Sequence, residues 1–213
     1  MTVATIIFLG GCGVHEVKNL SERRSGFFYA TDGKYALTAI SGVRETDYAQ
    51  DGLASELKPY TLITLAPVDK AAFDIDEEYS YQATVGYVDG VTVSERSFGG
   101  GMVMHPFAAS YSAEFDFETT QSFKVKISIG TQSYEYELTS IVPEDAIDYK
   151  TAIDVAKGEL ELVGAYEIRA RLIKNPVDRN DGLCWHVAFI SGEGASGVLI
   201  DPTTARIIAV KKS

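Results

Sequence analysis

Cysteine and histidine are scarce in this chain, with two cysteines and three histidines among 213 residues. Two cysteines are too few for the disulfide framework that stabilises many small secreted proteins. The spacings Cys-x-x-Cys, His-x-x-x-His and His-Glu-x-x-His do not occur, so the sequence lacks the common zinc-binding motifs. We therefore expect no cofactor.

Positive charge is also sparse, because 19 Lys and Arg residues are set against 30 Asp and Glu residues, giving a net charge of −11. Proteins bind nucleic acids mainly by neutralising phosphates with Lys and Arg, so a nucleic-acid partner is not expected. An acidic surface also repels anionic lipids. Attachment to a membrane would then require a lipid anchor and not a basic patch.

The apolar run near the N-terminus is too short to span a bilayer, which takes about 20 residues. Residues 3–9 are mostly apolar and lead into Gly10, Gly11 and Cys12. The sequence Leu9-Gly10-Gly11-Cys12 resembles the lipobox of bacterial lipoproteins, in which a Leu stands three positions before the Cys and small residues directly before it. The resemblance implies that Cys12 is lipidated, becomes the N-terminus of the mature protein and anchors it to a membrane.

The beginning of this segment departs from a complete export signal. Such a signal starts with positive charges, and no Lys or Arg precedes Lys18. We therefore interpret residues 1–11 as a truncated signal and expect the true start upstream. Position 13 is Gly and not the Asp that the lipoprotein pattern associates with retention, which predicts an outer-membrane protein facing the periplasm. The alternative is that residues 3–9 form a buried strand and Cys12 is an ordinary thiol.

An alternation of period two dominates residues 27–142, after a polar stretch at 12–26 that we interpret as a tether. Turn signals such as Asp32-Gly33 and Asp89-Gly90 divide this region. About seven short strands in a segment of this length predict an immunoglobulin-like antiparallel β-sandwich. The predicted strands are rich in Tyr, Phe, Val, Ile and Thr and cover residues 35–41, 60–66, 79–88, 91–98, 111–117, 123–129 and 134–141.

The pattern changes at Pro143-Glu144-Asp145, which is typical of a helix start. Apolar residues then recur at helical spacing, among them Ile153, Ala156 and Leu160. The strands predicted after the helix cover residues 166–173, 184–190, 197–200 and 206–210. Residues 143–213 are therefore predicted to form a helix packed on a small antiparallel sheet, and the whole chain to be α+β but mostly β.

Three segments of this second region carry a resemblance to a known family. They are Ala-Ile-Asp-Val-Ala (152–156), Trp-His-Val-Ala-Phe (185–189) and Val-Leu-Ile-Asp-Pro-Thr-Thr-Ala-Arg-Ile-Ile (198–208). Their order resembles the PepSY domain, whose last turn usually carries a Gly where Ala205 stands here. The resemblance implies an exported protein that binds or restrains a peptidase. A generic α+β module is the alternative.

Candidate catalytic residues are few. Cys184 and His186 alternate on a predicted strand, and a Cys–His pair can supply a nucleophile and its base. Their Cβ atoms would stand about 6–7 Å apart, which is poorly suited to a direct hydrogen bond. We predict that Cys184 is a core residue and that the protein is not an enzyme. The alternative is a secreted hydrolase with a carboxylate site built from residues such as Asp74, Asp76 or Glu114.

Two loops are candidate binding segments. Three glycines at 99–101 precede an apolar loop, and such loops often contact partners; the residues concerned are Met102, Met104, His105 and Phe107. A weaker candidate is an acidic cluster that offers oxygen ligands for Ca²⁺, with a solvated loop as its alternative; it contains Asp74, Asp76, Glu77 and Glu78. The overall expectation is a protein partner in the cell envelope, in a binding or assembly role.

Overall fold

The computed structural model describes residues 17–45, 53–68, 81–85, 109–113, 117, 122–129, 132–178 and 182–212. These residues form a mostly β protein with one short helix and a mixed, multi-stranded sheet. The elements are β1 (Leu20–Thr31), β2 (Tyr35–Glu45), β3 (Leu57–Pro67), β4 (Tyr81–Val85), β5 (Ala109–Ala113), β6 (Ser122–Ile129), β7 (Gln132–Ser140), α1 (Tyr149–Glu159), β8 (Glu167–Lys174), β9 (Leu183–Ser191), β10 (Gly194–Ile200) and β11 (Ile207–Lys211).

The first strand, β1, differs from the sequence-based interpretation. Residues 20–26, expected to belong to a tether, form its first half. The polar residues of this stretch give no apolar alternation, yet Ser21 and Glu22 are buried because partners from other strands cover them. The tether interpretation is therefore wrong for residues 20–26, and residues 12–16 lie outside the described part.

The sheet is organised around β1. One edge of β1 pairs with β2, while the other edge pairs first with β8, in parallel, and then with β7. The main strand order is β11-β10-β9-β8-β1-β2-β3-β5, and β7, β6 and β4 are joined through β1. The segments predicted as two domains thus share one hydrogen-bonded sheet; their division at residue 143 stays a prediction.

Strands β2 to β11 correspond to ten of the eleven strands predicted from sequence, and the remaining one, 91–98, lies outside the described residues. The predicted turn at Asp32-Gly33 is confirmed between β1 and β2. Gly33 has a φ of 84°, and Asp32 Oδ1 accepts hydrogen bonds from the backbone N–H groups of Lys34 and Tyr35. The expectation of antiparallel pairing alone is wrong, because β1 and β8 run parallel.

One core lies between β1, β2 and β3 on one side and β6 and β7 on the other. Alternate residues of each strand point into it, as a pleated sheet requires. Phe117 stacks on Phe123 with ring centroids 4.1 Å apart, and Phe28 meets Phe123 edge to face at 5.2 Å. The buried members are Phe28, Tyr35, Leu37, Ala39, Ile63, Leu65, Phe117, Phe123, Val125, Tyr136 and Leu138.

The second core lies between α1 and one side of β8, β9 and β10. Ile153 and Ala156 of the predicted apolar helical face are buried there, together with Trp185. The predicted start of the helix at Pro143 is wrong, since α1 begins at Tyr149 with Asp148 as its N-cap. Ile147, which precedes α1, makes hydrogen bonds outside the helix: its N–H donates to Pro202 O and its carbonyl oxygen accepts from the Trp185 indole.

Candidate functional site

Most site residues predicted from the sequence lie outside the described residues. This applies to the lipidation candidate, the apolar loop, the acidic cluster and the hydrolase carboxylate; the residues are Cys12, Met102, Met104, His105, Phe107, Asp74, Asp76, Glu77, Glu78 and Glu114. Cys184 and His186 are described, and both lie on β9. The site that the described residues do form surrounds His186.

A concave surface of about 580 Å³ lies on the side of β8–β11 that faces away from α1. Volumes of this size are typical of pockets for small ligands. Side-chain alternation explains its composition: Ile168 and Ala170 of β8 point to the helix, so Arg169 and Arg171 point to the opposite side. The lining residues are Arg169, Arg171, Ile173, Pro176, His186, Ala188, Ile190, Ala195, Ser196, Gly197, Leu199, Ala209, Val210 and Lys211.

The register of the sheet brings distant charged residues together. Arg24 of β1 is paired with Arg171 of β8, which is paired with His186 of β9. Two residues back along each strand, Glu22 is paired with Arg169. Residues that are paired across strands share a side of the sheet, so these five side chains form a polar patch beside the apolar lining.

A chain of polar contacts orients the patch. Tyr60 Oη donates to Glu22 Oε1 at 2.8 Å, and Glu22 Oε2 lies 3.7 Å from Arg171 Nη1. Arg171 Nη2 in turn lies 3.2 Å from His186 Nδ1. A guanidinium can only donate, so Nδ1 must be the acceptor and the ring proton must be on Nε2. His186 therefore presents an N–H donor on its Nε2 side.

Gly197 of β10 lies close to this donor. A Cβ atom added to Gly197 would stand 3.2 Å from His186 Nε2, which is tighter than an ordinary contact. A side chain at this position would therefore press on Nε2. Gly197 also lines the concave surface, so the donor borders the same space as the apolar residues.

The electrostatics of the patch keep the histidine neutral. Burial, followed by the charges of Arg171 and Arg24, lowers the pKa of His186 to about 4. The ring is therefore neutral at pH 7, with one donor and one acceptor nitrogen. Burial and the neighbouring Glu22 carboxylate raise the pKa of Tyr60 far above its ordinary value, so Tyr60 remains a hydrogen-bond donor.

Cations outnumber carboxylates in and beside the concave surface. Glu167 pairs with Arg169, and both side chains are almost fully buried. Glu22 pairs with Arg171. Arg24 has no salt bridge to any described residue, and its Nε–H is buried without a hydrogen-bond partner there. An excess of guanidinium charge in a partly desolvated place favours an anionic ligand.

The site differs from the Cys–His pair that the sequence offers as a catalytic candidate. Cys184 is a fully buried thiol, and the hydrogen-bond partner of the His186 ring is Arg171. Sequence reasoning missed Arg169, Arg171 and Glu22. An available signal was the alternation of Arg with apolar residues in 168–172, which gives a strand with one charged side.

Within the described part of the chain, no three His, Cys, Asp or Glu side chains are grouped so that they could hold a metal ion. The helix found among the described residues, α1, is not long and apolar enough to cross a membrane. Comparison of the chain with protein-family models, with curated proteins and with solved structures gave no match.

Proposed function

We propose that this chain is a non-enzymatic binding protein of the bacterial cell envelope, whose ligand or partner occupies the concave surface over β8–β11. The observation that carries the proposal is the combination of oriented donors and apolar lining in one space. Arg171 and His186 offer hydrogen bonds, while Ile173, Ile190 and Leu199 offer apolar contact. A few fixed polar groups in an apolar concavity are the usual composition of a binding site.

The proposal includes an anchor at Cys12. The support is the lipobox-like sequence Leu9-Gly10-Gly11-Cys12, which precedes β1, the first of the described strands, by seven residues. Such a protein would stand on the outer membrane and face the periplasm, where its partner would be another envelope protein. In the same proposal, residues 27–142 form an immunoglobulin-like sandwich, which the antiparallel pairing of strands β1 to β7 with one another supports.

A site-specific photo-crosslinker tests the binding role. Introduced in place of Leu199, which lines the concave surface, it should give a discrete adduct in the native envelope. The matched control replaces Lys124, an exposed residue of β6 away from that surface, and should give none. Equal labelling from both positions, or no adduct from position 199, would count against the proposed function.

The anchor has its own test. Mass spectrometry of the protein made in its host should find a lipidated Cys12 at the N-terminus, and Cys12→Ser should release the protein from the membrane fraction. An unmodified Cys12 still joined to Gly11 would refute the anchor. That result would not bear on the binding role of the concave surface, which the crosslinking experiment tests separately.

A second candidate function is restraint of a peptidase, as the PepSY resemblance implies. The observation that favours it is Ala205, which has a φ of 59° in the last turn, at the position where the family usually carries Gly. The segment order α1–β9–β10–β11 is also the order of the resembling segments. A pull-down from envelope extract that recovers no peptidase would count against this function.

A further inference from the structure

The two consecutive arginines of β1 lie in different surroundings. Arg23 is paired with Ala170, which faces α1, and its guanidinium carbon lies 5.4 Å from the centre of the Tyr149 ring. Arg24 faces the opposite side of the sheet, because successive side chains of a strand alternate. It is partly buried there and makes no salt bridge to any described residue. A cation that has lost part of its hydration without gaining a counter-charge is costly, so Arg24 favours an anion beside it.

Arg24 belongs to a group of three guanidinium side chains from three strands. The register pairs Arg24 with Arg171 of β8. On the other edge of β1, Arg44 of β2 is paired with Glu22, two residues from Arg24. Paired residues share a side of the sheet, and diagonal neighbours are within reach of long side chains. Burial and Glu22 raise the pKa of Tyr60, and the charges of Arg24 and Arg44 oppose this rise, as expected of guanidinium groups on the same side of the sheet.

One described carboxylate lies within salt-bridge distance of this group. Glu22 Oε2 is 3.7 Å from Arg171 Nη1, whereas Arg24 and Arg44 make no salt bridge to a described residue. Glu167, the other carboxylate on this side of β8, already has its own arginine partner. Three guanidinium charges against one carboxylate thus leave two positive charges uncompensated. Like charges side by side on a sheet destabilise it, and a bound anion would relieve this repulsion.

The number and placement of these donors define the chemistry of the ligand. A guanidinium only donates hydrogen bonds, so the ligand must offer acceptors with negative charge. A carboxylate fits the fork of a single guanidinium, whereas guanidinium groups from three strands need an anion with acceptor oxygens in several directions. A phosphate monoester has three such oxygens and a charge of about −1.5 to −2 at pH 7. Its charge therefore matches the two uncompensated cations.

We propose that Arg24, Arg44 and Arg171 bind the phosphate group of a phosphate monoester. A phosphate diester carries a single negative charge and two free oxygens, so the backbone of a nucleic acid is not the expected ligand. The site goes beyond the binding role proposed for the concave surface, with whose lining it shares Arg171. The net charge of the whole chain is −11, so an anion is attracted by this group and not by the average surface.

Calorimetric titration of the purified full chain tests the site with two probes, methyl phosphate and dimethyl phosphate. The buffer contains only chloride as its anion, at low ionic strength to limit screening. At about pH 8 methyl phosphate carries two negative charges. We expect saturable binding of methyl phosphate with one site per chain. Dimethyl phosphate should bind at least about tenfold more weakly, because one charge and one acceptor oxygen are lost.

Three arginine variants locate the binding. Arg24→Gln removes a partly buried guanidinium and should weaken methyl phosphate by about tenfold. Arg44→Gln should weaken it less, by about threefold, because Arg44 is exposed. The matched control is Arg206→Gln in the turn between β10 and β11, since it makes the same change of charge and β8 and β9 lie between β10 and β1. Retained fluorescence of Trp185 shows that a variant is folded, and Arg44→Gln decides the question where Arg24→Gln is not folded.

Three results would overturn the phosphate site: methyl phosphate does not bind at millimolar concentration, dimethyl phosphate binds as tightly, or the folded variants at positions 24 and 44 bind as the Arg206→Gln control does. A crosslinked adduct from position 199, combined with any of these results, would reject the phosphate site alone and retain the proposed binding function. Binding of methyl phosphate that depends on Arg24, without an adduct from position 199, would retain the site and reject that function.

Discussion

The Nη2 atom of Arg171 lies 3.2 Å from Nδ1 of His186, across the pairing of β8 with β9. Because the guanidinium cannot accept a hydrogen bond, this contact requires the Nδ1 atom of His186 to be unprotonated. Protonation of the ring would place a second positive charge beside Arg171 and close to Arg24. Burial is the larger cause of the fall in the pKa of His186 to about 4, and the charges of Arg171 and Arg24 add to it.

The first prediction follows from this pKa. The unfolded chain binds a proton at His186 near pH 6.5, whereas the folded chain does so only near pH 4. Between these values the unfolded state holds more protons, so the free energy of unfolding should fall as pH is lowered through this window and level off below it. We expect a loss on the order of 2 kcal/mol, since one pKa unit corresponds to about 1.4 kcal/mol and the ring is partly solvated.

Urea denaturation at a series of pH values, followed by the fluorescence of the single Trp185, measures this loss. The control is His186→Gln, whose side chain keeps a donor and an acceptor but does not titrate. The difference between the two pH profiles isolates His186 from the carboxylates and the other histidines. If the free energy of unfolding changed with pH in the same way in the unmodified chain and in His186→Gln between pH 4 and 6.5, the pKa of His186 would be ordinary.

A second prediction concerns the buried hydroxyl of Tyr60. It donates to the carboxylate of Glu22, and both residues are about 5% or less exposed. Tyr60→Phe should lower the free energy of unfolding by about 2 kcal/mol, because it removes a donor from a buried charge. Tyr134→Phe is the matched control, since the Tyr134 hydroxyl accepts from Lys34 at an exposed position and should matter by less than about 0.5 kcal/mol. Equal losses of free energy of unfolding in Tyr60→Phe and Tyr134→Phe, measured by urea denaturation, would contradict the effect of burial.

Segments rich in apolar, aromatic and β-branched residues predicted β2 to β11, and alternation marked those before residue 142. The prediction failed for residues 20–26, where the buried side chains include polar ones such as Glu22 and no apolar alternation marks the strand. Their burial depends on β8, which follows more than 140 residues later and pairs in parallel. The concave site could not be predicted for the same reason: Arg24 of β1 meets Arg171 and His186 only through the parallel pairing of β1 with β8, which is distant in sequence.

The start of α1 gives a third prediction. Both Asp145 and Asp148 have the local chemistry of a helix start, but Thr151 N–H donates to Asp148 Oδ1 at 2.8 Å and α1 begins after Asp148. Asp148→Ala should lower the free energy of unfolding by about 1 kcal/mol, through loss of the N-cap. Asp145→Ala should change it by less than about 0.5 kcal/mol, as an exposed position outside the helix. If Asp145→Ala were the more destabilising of the two, the result would support the helix start at Pro143-Glu144-Asp145 that the sequence predicts.

A fourth prediction concerns the turn between β10 and β11. Ala205 has a φ of 59°, in the left-handed region, where a residue with a Cβ atom is disfavoured by about 1–2 kcal/mol relative to its usual conformations. The turn holds it there, because Asp201 Oδ1 accepts from the N–H groups of Thr203 and Thr204, and Asp201 N–H donates to Arg206 O. Ala205→Gly should therefore raise the free energy of unfolding by about 0.5–1 kcal/mol, after allowance for the greater freedom of Gly in the unfolded chain.

Gly33 provides the opposite substitution in a comparable turn. Its φ is 84° and nothing lies within 4 Å of a Cβ atom built there, so Gly33→Ala introduces backbone strain without a steric clash. It should lower the free energy of unfolding by about 1 kcal/mol. The two reverse substitutions, Ala205→Gly and Gly33→Ala, should thus have effects of opposite sign on the free energy of unfolding, both followed by Trp185 fluorescence in urea. A loss of stability in Ala205→Gly would mean that the turn at 201–206 does not hold Ala205 in the left-handed region.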